Sequence, residues 1–290
     1  MEELNGLTTG DGRRLMYRRT GQGPTLVCHG GGPGFSALYL GNLGDLDSHL
    51  ELVLLDPRGT GGSDRPADPR AYRIEDYAAD LEALRADLGL ERMSLLGHSH
   101  GGMVAIAYAA RHPERVERLI LASTLARWAP DQEAAMEAAV ASHADEPWYE
   151  DAKAALEAEQ AGAFATDEEL ADLALREFPF YFKRYGDRER AYLETLRSET
   201  PNADTLRFFN QEIFETFDLR PELKKITAPT LVVTGADDYI TGPASAADLE
   251  QGIADVQRVV IPDCGHFVFI EAPEAFQEAV LSFLGAPAAA

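Results

Sequence analysis

The chain of 290 residues has few cysteines, no long apolar run and a shortage of positive charge. Cys28 and Cys264 are its two cysteines, a number that argues against a disulfide scaffold and fits a reducing cytoplasm. No stretch approaches the roughly 20 apolar residues of a membrane span, so we expect no membrane insertion. The N-terminal residues MEELN form neither a basic nor an apolar region. We therefore expect no signal peptide and a cytoplasmic protein.

Acidic residues outnumber basic ones, with 49 Asp and Glu against 26 Lys and Arg and a formal net charge of −23. Such a charge repels nucleic acid and anionic membranes, so we expect neither as a partner. Apolar residues make up 45% of the chain, which is enough for a large core. The length fits one α/β domain with an insertion.

Short apolar runs alternate with helical patterns in two parts of the chain. The runs that predict strands lie at 13–19, 25–28, 51–55, 93–96, 118–122, 231–234 and 256–261. The helical patterns lie at 74–88, 102–110, 243–253 and 273–284. This alternation predicts an α/β fold, in which a mostly parallel, twisted sheet carries helices on both faces. We expect residues 285–290 to form a frayed tail.

The region between the two alternating parts has a different composition. Residues 131–178 contain 14 acidic residues against two basic ones, and an aromatic-rich stretch follows. Neither stretch has a strand pattern. We therefore predict a helical cap at 128–219, inserted into an α/β core formed by residues 1–127 and 220–290.

The pentapeptide GHSHG at 97–101 joins a predicted strand directly to a predicted helix. A G-x-S-x-G sequence in this position is the nucleophile elbow, a turn so tight that its flanking positions accept only small residues. The strained turn holds the serine hydroxyl at a helix N-terminus, where negative charge is favoured. Ser99 is therefore the predicted nucleophile.

A serine nucleophile needs a base and an acid that orients the base, in the chain order Ser, Asp or Glu, His. Asp237 and Asp238 follow the strand at 231–234, and His266 follows the strand at 256–261. The carboxyl ends of parallel strands meet at one edge of a sheet. His266 is the predicted base, with Asp237 or Asp238 as the acid. A thiol at Cys264 would lie near this histidine, and it is either reachable by organomercurials or buried and inert.

The sequence HGGGPG at 29–34, the oxyanion loop below, follows another strand. Glycines allow backbone N–H groups to approach a substrate oxygen closely. We assign one oxyanion N–H to His100 and the other to Gly31, with Gly32 as the alternative. His98 and His100 flank the serine, but the elbow directs them apart and no further ligand has metal spacing, so we expect no metal.

Five segments together resemble the α/β-hydrolase superfamily and look most like its proline iminopeptidase family. They are HGGGPG (29–34), DPRGTGGSD (56–64), GHSHGG (97–102), TGADD (234–238) and CGHFVFIEAP (264–273). The resemblance covers nearly the whole chain and implies a helical cap over a Ser-Asp-His site. In the superfamily the acid usually stands three residues after the strand-end glycine, which selects Asp238 over Asp237. We expect no cofactor.

The resemblance implies a serine hydrolase that releases N-terminal proline from peptides through an acyl-enzyme. Family members hold the substrate ammonium with cap carboxylates, a role that would fall here to Glu212 or Glu215; solvated surface acids are the alternative for both. Phe35 and Trp148 are candidates for the acyl pocket. A carboxylesterase or lactonase and a carbon–carbon bond hydrolase are alternatives of the same fold. A non-catalytic ligand-binding protein is a further one. The expected partner is a small molecule or short peptide.

Overall fold

A computed structural model describes residues 3–285. Its strands are β1 (Glu3–Thr8), β2 (Arg14–Gly21), β3 (Thr25–His29), β4 (Glu51–Leu55), β5 (Met93–His98), β6 (Val116–Ala122), β7 (Thr230–Gly235) and β8 (Val256–Ile261). Its helices are α1 (Ile74–Asp87), α2 (His100–Arg111), α3 (Pro130–Ala141), α4 (Tyr149–Gln160), α5 (Asp167–Glu177), α6 (Asp187–Thr195), α7 (Ala203–Phe208), α8 (Arg220–Leu223), α9 (Pro243–Gly252), α10 (Val268–Glu271) and α11 (Pro273–Leu284). Residues 286–290 of the predicted tail lie outside the described residues.

The eight strands form a single sheet in the order β1-β2-β4-β3-β5-β6-β7-β8. β2 pairs antiparallel with both β1 and β4, and the remaining neighbours pair in parallel. Strand β5, which leads into the elbow, lies near the middle of this order. The carboxyl ends of β3, β5 and β7 therefore bring their following loops to one edge.

Alternate side chains of the strands enter two separate cores. In β5, Leu95 packs in the cluster that includes Leu81 of α1 and Val104 of α2. The next residue, Leu96, packs on the opposite face in the cluster that includes Phe276 of α11. Full burial of one such side chain contributes about 1.5–3 kcal/mol. Helices cover both faces of the sheet, so the predicted α/β architecture is confirmed.

Strand β1 is absent from the sequence prediction. It lies at the edge of the sheet, where Leu7 is 4% exposed and Leu4 is 60% exposed. With one buried leucine and the sequence Asn5-Gly6 in its middle, the segment lacks the β-branched alternation that predicts a strand. Antiparallel pairing with β2 stabilises this segment as a strand, although its own composition does not predict one.

Helices α3 to α7 lie between β6 and β7. The chain leaves and re-enters the core side by side, since Arg127 and Asp218 form an antiparallel bridge and the Leu219 N–H donates to the Ala126 carbonyl at 2.7 Å. We propose on this basis that residues 128–219 form the cap. Among residues 3–285, no helix is long and apolar enough to cross a membrane.

Candidate active site

Ser99 stands at the junction of β5 and α2 with φ 56° and ψ −124°. A positive φ at a residue other than glycine costs on the order of 1–3 kcal/mol and persists only where the surroundings impose it. Here the surroundings are crowded: a Cβ at Gly97 would lie 2.3 Å from the Gly101 carbonyl oxygen, and one at Gly101 would lie 2.2 Å from that of His29. The local geometry is that of the nucleophile elbow.

His266 and Asp238 meet at the same edge of the sheet. The Nδ1 atom of His266 lies 3.0 and 3.1 Å from the two carboxylate oxygens of Asp238. Both side chains are buried, and His266 lines the same cavity as Ser99. An Nδ1 atom that faces a carboxylate leaves Nε2 available as a proton acceptor for a serine.

Asp238 is held as a carboxylate by a dense set of donors. Its Oδ1 accepts the N–H groups of Ile240 and Thr241 at 3.1 and 3.0 Å, and its Oδ2 accepts the Thr241 hydroxyl at 2.5 Å. Burial alone would raise the pKa of Asp238, but His266 and these hydrogen bonds lower it to about 2. Thr241 thus fixes the orientation of the Asp238 carboxylate, a contact that sequence analysis missed.

Asp237 points elsewhere. Its carboxylate lies 2.6 Å from the ammonium of Lys183, a cap residue, and both side chains are about one-third exposed. Ion pairs that are partly exposed in this way contribute little to stability. Of the two candidate acids, the structure therefore places Asp238 against His266 and leaves Asp237 in a contact between cap and core.

The base loop, residues 262–267, is anchored to the cap. The His266 N–H donates to the Tyr181 carbonyl at 2.7 Å, and the Tyr181 ring stands edge-on to the imidazole at 5.2 Å. The Gly265 N–H donates to Glu271 at 2.6 Å. Cys264 in this loop is fully buried, and burial raises the pKa of its thiol well above the usual range. Of the two possibilities for this cysteine, the structure supports the buried, inert thiol.

The oxyanion loop lies directly against the elbow. A Cβ at Gly31 would come within 2.4 Å of Ser99 Cβ and 3.0 Å of the His100 nitrogen. The Gly31 N–H, predicted as an oxyanion donor, donates instead to the Tyr39 hydroxyl in this structure. The N–H groups of Gly32 and His100 have no hydrogen-bond partner among residues 3–285. Gly31 provides the close approach, and Gly32 is the available donor.

The two histidines beside Ser99 point in different directions. His98 Nδ1 lies 2.7 Å from the Tyr39 hydroxyl, whereas the His100 ring packs edge-on against Tyr77 at 5.4 Å and Phe209 at 5.2 Å. Burial lowers the pKa of each to about 3, so both stay neutral. Within residues 3–285, His, Cys, Asp and Glu form no group of three or more that could bind a metal.

A cavity of about 500 Å³ lies between the elbow and the cap. Phe35 lines it, as predicted. Trp148 does not, because its ring packs within the cap against Phe180 at 5.2 Å. Glu212, one of the two predicted ammonium ligands, is exposed and lines a different surface groove, outside the cavity of Ser99. Glu215 borders the cavity but is an exposed side chain.

Four further carboxylates of residues 128–219 line the cavity: Glu133, Glu159, Glu177 and Glu199. Glu177 is 5% exposed, and its Oε2 has no hydrogen-bond partner among the described residues. Burial, followed by the charge of Glu159, raises the pKa of Glu177 well above its usual value. Burial raises the pKa of Glu159 to about 6, against one hydrogen bond from Asn210 that lowers it. A buried carboxylate without a partner is a ready acceptor for a cation.

Sequence analysis missed Glu177 although the pattern contains a signal for it. Leu170, Leu173, Ala174 and Glu177 are the buried positions of α5, at the spacing of one helix face. A carboxylate at the last position of an apolar stripe is unusual, because charged side chains are almost never buried unless they are paired. Glu212 drew attention instead because it stands among aromatic residues.

Comparison with known proteins identifies the family to which the chain is similar. Residues 24–273 match the family described as the alpha/beta hydrolase fold. A proline iminopeptidase of Lactobacillus helveticus (strain DPC 4571) is 31% identical to the chain over 301 aligned positions, which cover 95% of this chain and 96% of that protein.

Solved structures match over the same extent. A crystal structure of a hydrolase from Pseudomonas aeruginosa PA01 is 29% identical with a TM-score of 0.73, covering 98% of this chain and 99% of that one. The crystal structure of the enol-lactonase from Burkholderia xenovorans LB400 is 28% identical with a TM-score of 0.74, covering 97% and 100%. These likenesses span the core and the region between β6 and β7.

Proposed function

Because the chain belongs to the α/β-hydrolase fold family and is most like the proline iminopeptidases, we propose that it is a serine hydrolase that removes N-terminal proline from short peptides. Ser99 is the nucleophile, His266 the base and Asp238 the orienting acid. The observation that carries the proposal is the buried carboxylate Glu177, unpaired in the same cavity as Ser99. An enzyme that acts on neutral esters has no need of it.

Acylation begins when Ser99 Oγ attacks the carbonyl carbon of the N-terminal residue. His266 Nε2 takes the hydroxyl proton, and the contact of Nδ1 with Asp238 stabilises the resulting imidazolium. The same proton then passes to the leaving nitrogen as the C–N bond breaks, so the peptide departs with a neutral amine. In deacylation, water attacks the ester of the acyl-enzyme with His266 again as the base, and Ser99 is released.

The negative charge that develops on the carbonyl oxygen needs preorganised donors. We assign this role to the N–H groups of Gly32 and His100, which have no other partner among the described residues. His100 also stands at the N-terminus of α2, where the helix dipole favours an anion.

The substrate ammonium binds at Glu177 and Glu159. A cation there permits Glu177 to ionise and supplies the partner that its Oε2 lacks. Apolar side chains that include Phe35, Phe178 and Phe209 line the rest of the cavity and suit a pyrrolidine ring. Without a carboxylate pair this cavity would suit a neutral acyl group, as in an esterase or lactonase.

The test is turnover of three substrates by the wild-type protein: L-proline p-nitroanilide, its N-acetyl form and p-nitrophenyl acetate. We expect the free-amine anilide to be preferred over the N-acetyl form by at least about 10², since losing one partner of a buried ion pair costs about 3–5 kcal/mol. Turnover of the ester alone would replace the aminopeptidase proposal with an esterase. Turnover of none would favour a binding protein.

A further inference from the structure

Three buried hydrogen bonds join the oxyanion loop to the base loop. The Gly31 N–H donates to the Tyr39 hydroxyl, Tyr39 Oη lies 2.7 Å from His98 Nδ1, and His98 Nε2 lies 3.2 Å from the His266 carbonyl oxygen. Tyr39 is 7% exposed, and His98 and His266 are each 1% exposed. Bulk water therefore competes little for these bonds.

The end groups determine where each proton lies. A backbone N–H can only donate and a carbonyl oxygen can only accept. The Tyr39 oxygen therefore accepts from Gly31 and gives its own proton to His98 Nδ1. His98, carrying one proton, holds it on Nε2 and donates it to the His266 carbonyl. Burial lowers the pKa of His98 to about 3, so this arrangement persists at neutral pH.

Neighbouring rings fix the orientation of the His98 imidazole. Phe267 lies parallel to it at 5.9 Å and Phe269 stands edge-on at 5.2 Å. The same two rings pack against the Tyr39 ring at 6.0 and 6.4 Å, and the Tyr192 hydroxyl donates to the Tyr39 backbone carbonyl at 2.6 Å. Two donor–acceptor side chains with locked rings form a rigid spacer between the loops.

We propose that Tyr39 and His98 are positioning residues that set the distance between the oxyanion loop and the base loop across Ser99. The inference rests on the proposed function, because it assumes that Ser99 is acylated with help from both loops. Both side chains line the cavity that contains Ser99, and the His98 ring lies 4.8 Å from that of His266, but their protons are engaged between the two loops, so we assign them to positioning. We call this pair the Tyr39–His98 relay.

Breaking the relay removes a constraint on position while the triad stays complete. Tyr39→Phe leaves the Gly31 N–H and His98 Nδ1 without partners, and His98→Leu frees both ends at once. A displacement of about 1 Å in an active site costs on the order of 10² in rate. We expect kcat to fall about 10- to 100-fold in either variant, with KM changed less than about 3-fold, because the cap contacts of the substrate remain.

His98→Gln tests the chemistry of the relay, because an amide accepts with its oxygen and donates with its nitrogen. We expect it to recover at least about 10-fold of the kcat lost in His98→Leu, since both bonds can form again. The matched control is Tyr108→Phe, which removes a buried hydroxyl that bonds to Glu82 at 2.8 Å, outside the cavity. We expect it to lower the unfolding temperature and leave kcat unchanged.

The experiment measures the rate of fluorophosphonate labelling at Ser99, with kcat and KM, for wild type, the four single variants and the double variant Tyr39→Phe/His98→Leu. A connected relay predicts that the double variant loses no more than the worse single variant. Additive losses, a His98→Gln variant no better than His98→Leu, or unchanged kcat in Tyr39→Phe would each overturn the relay. Wild type that fails to label would instead overturn the proposed function.

Discussion

Replacing Glu177 with glutamine should make the protein more stable and a poorer aminopeptidase. In the folded state burial and the charge of Glu159 hold the pKa of Glu177 well above its ordinary 4.5. The native state therefore binds this proton more tightly than the unfolded chain does. The stability that this tighter proton binding gives the folded state is fully present below about pH 4.5. That stability is lost as the pH rises through the folded pKa of Glu177.

The magnitude follows from the shift. Each unit by which the folded pKa exceeds the unfolded value is worth about 1.4 kcal/mol. Glu177→Gln keeps the shape and removes the titration, so its free energy of unfolding at pH 8 should exceed that of wild type. Near pH 4.5 the two proteins should be about equally stable.

The same change removes the partner of the substrate ammonium. An ion pair broken on one side costs about 3–5 kcal/mol, so kcat/KM for L-proline p-nitroanilide should fall by about 10² or more. Turnover of p-nitrophenyl acetate should stay within about 3-fold, because the triad is untouched.

Urea unfolding at pH 4.5 and pH 8, with kinetics on both substrates, tests this prediction. Glu212→Gln is the matched control, since Glu212 is an exposed cap carboxylate outside the cavity, and it should change none of these quantities. If Glu177→Gln gains no stability at pH 8, the carboxylate is not held unpaired. If both substrates lose activity equally, Glu177 does not bind the ammonium.

Three further predictions concern the triad, pH and the cysteine. Asp238→Asn should lower kcat by about 10⁴, because the amide cannot hold the working tautomer of His266, while Asp237→Asn should stay within a few-fold; the reverse ranking would move the acid to Asp237. The ratio of kcat/KM for the anilide to that for the ester should fall as pH drops through about 6, where Glu159 takes up its proton, and a constant ratio would exclude that carboxylate. Organomercurials should leave the activity of the folded protein intact because Cys264 is buried, and inhibition that disappears in Cys264→Ser would show that the thiol is reachable.

The sequence predicts the core well because its signals are local and periodic. The elbow, the loop histidine and the strand-end aspartates each stand directly after an apolar run, and the sheet then brings them to one edge. The choice between Gly31 and Gly32 was different. It depends on the Tyr39 hydroxyl, which accepts the Gly31 N–H although Tyr39 lies eight residues later in the chain. No local sequence pattern predicts that contact.

The side chains that the proposed cap presents to the cavity were not predictable from the sequence. The cap helices present side chains to a cavity that exists only after they pack on the core, so composition alone could not separate Glu177 from Glu212. The spacing of the buried residues of α5 places Glu177 on the apolar face of that helix, which distinguishes it from Glu212. The aromatic residues around Glu212 favoured the other choice. Thr241 was missed for a similar reason, since its hydroxyl matters only once the turn after Asp238 has closed.

Covalent labelling measures the central claim most directly. The wild-type protein should react with a fluorophosphonate probe to form one adduct per chain, and peptide mapping should locate it on Ser99. Ser99→Ala, folded by circular dichroism, should give no adduct, and its kcat should fall by about 10⁶, as expected for loss of a triad nucleophile. An adduct on another residue, or turnover by Ser99→Ala within about tenfold of wild type, would contradict the assignment of the active site.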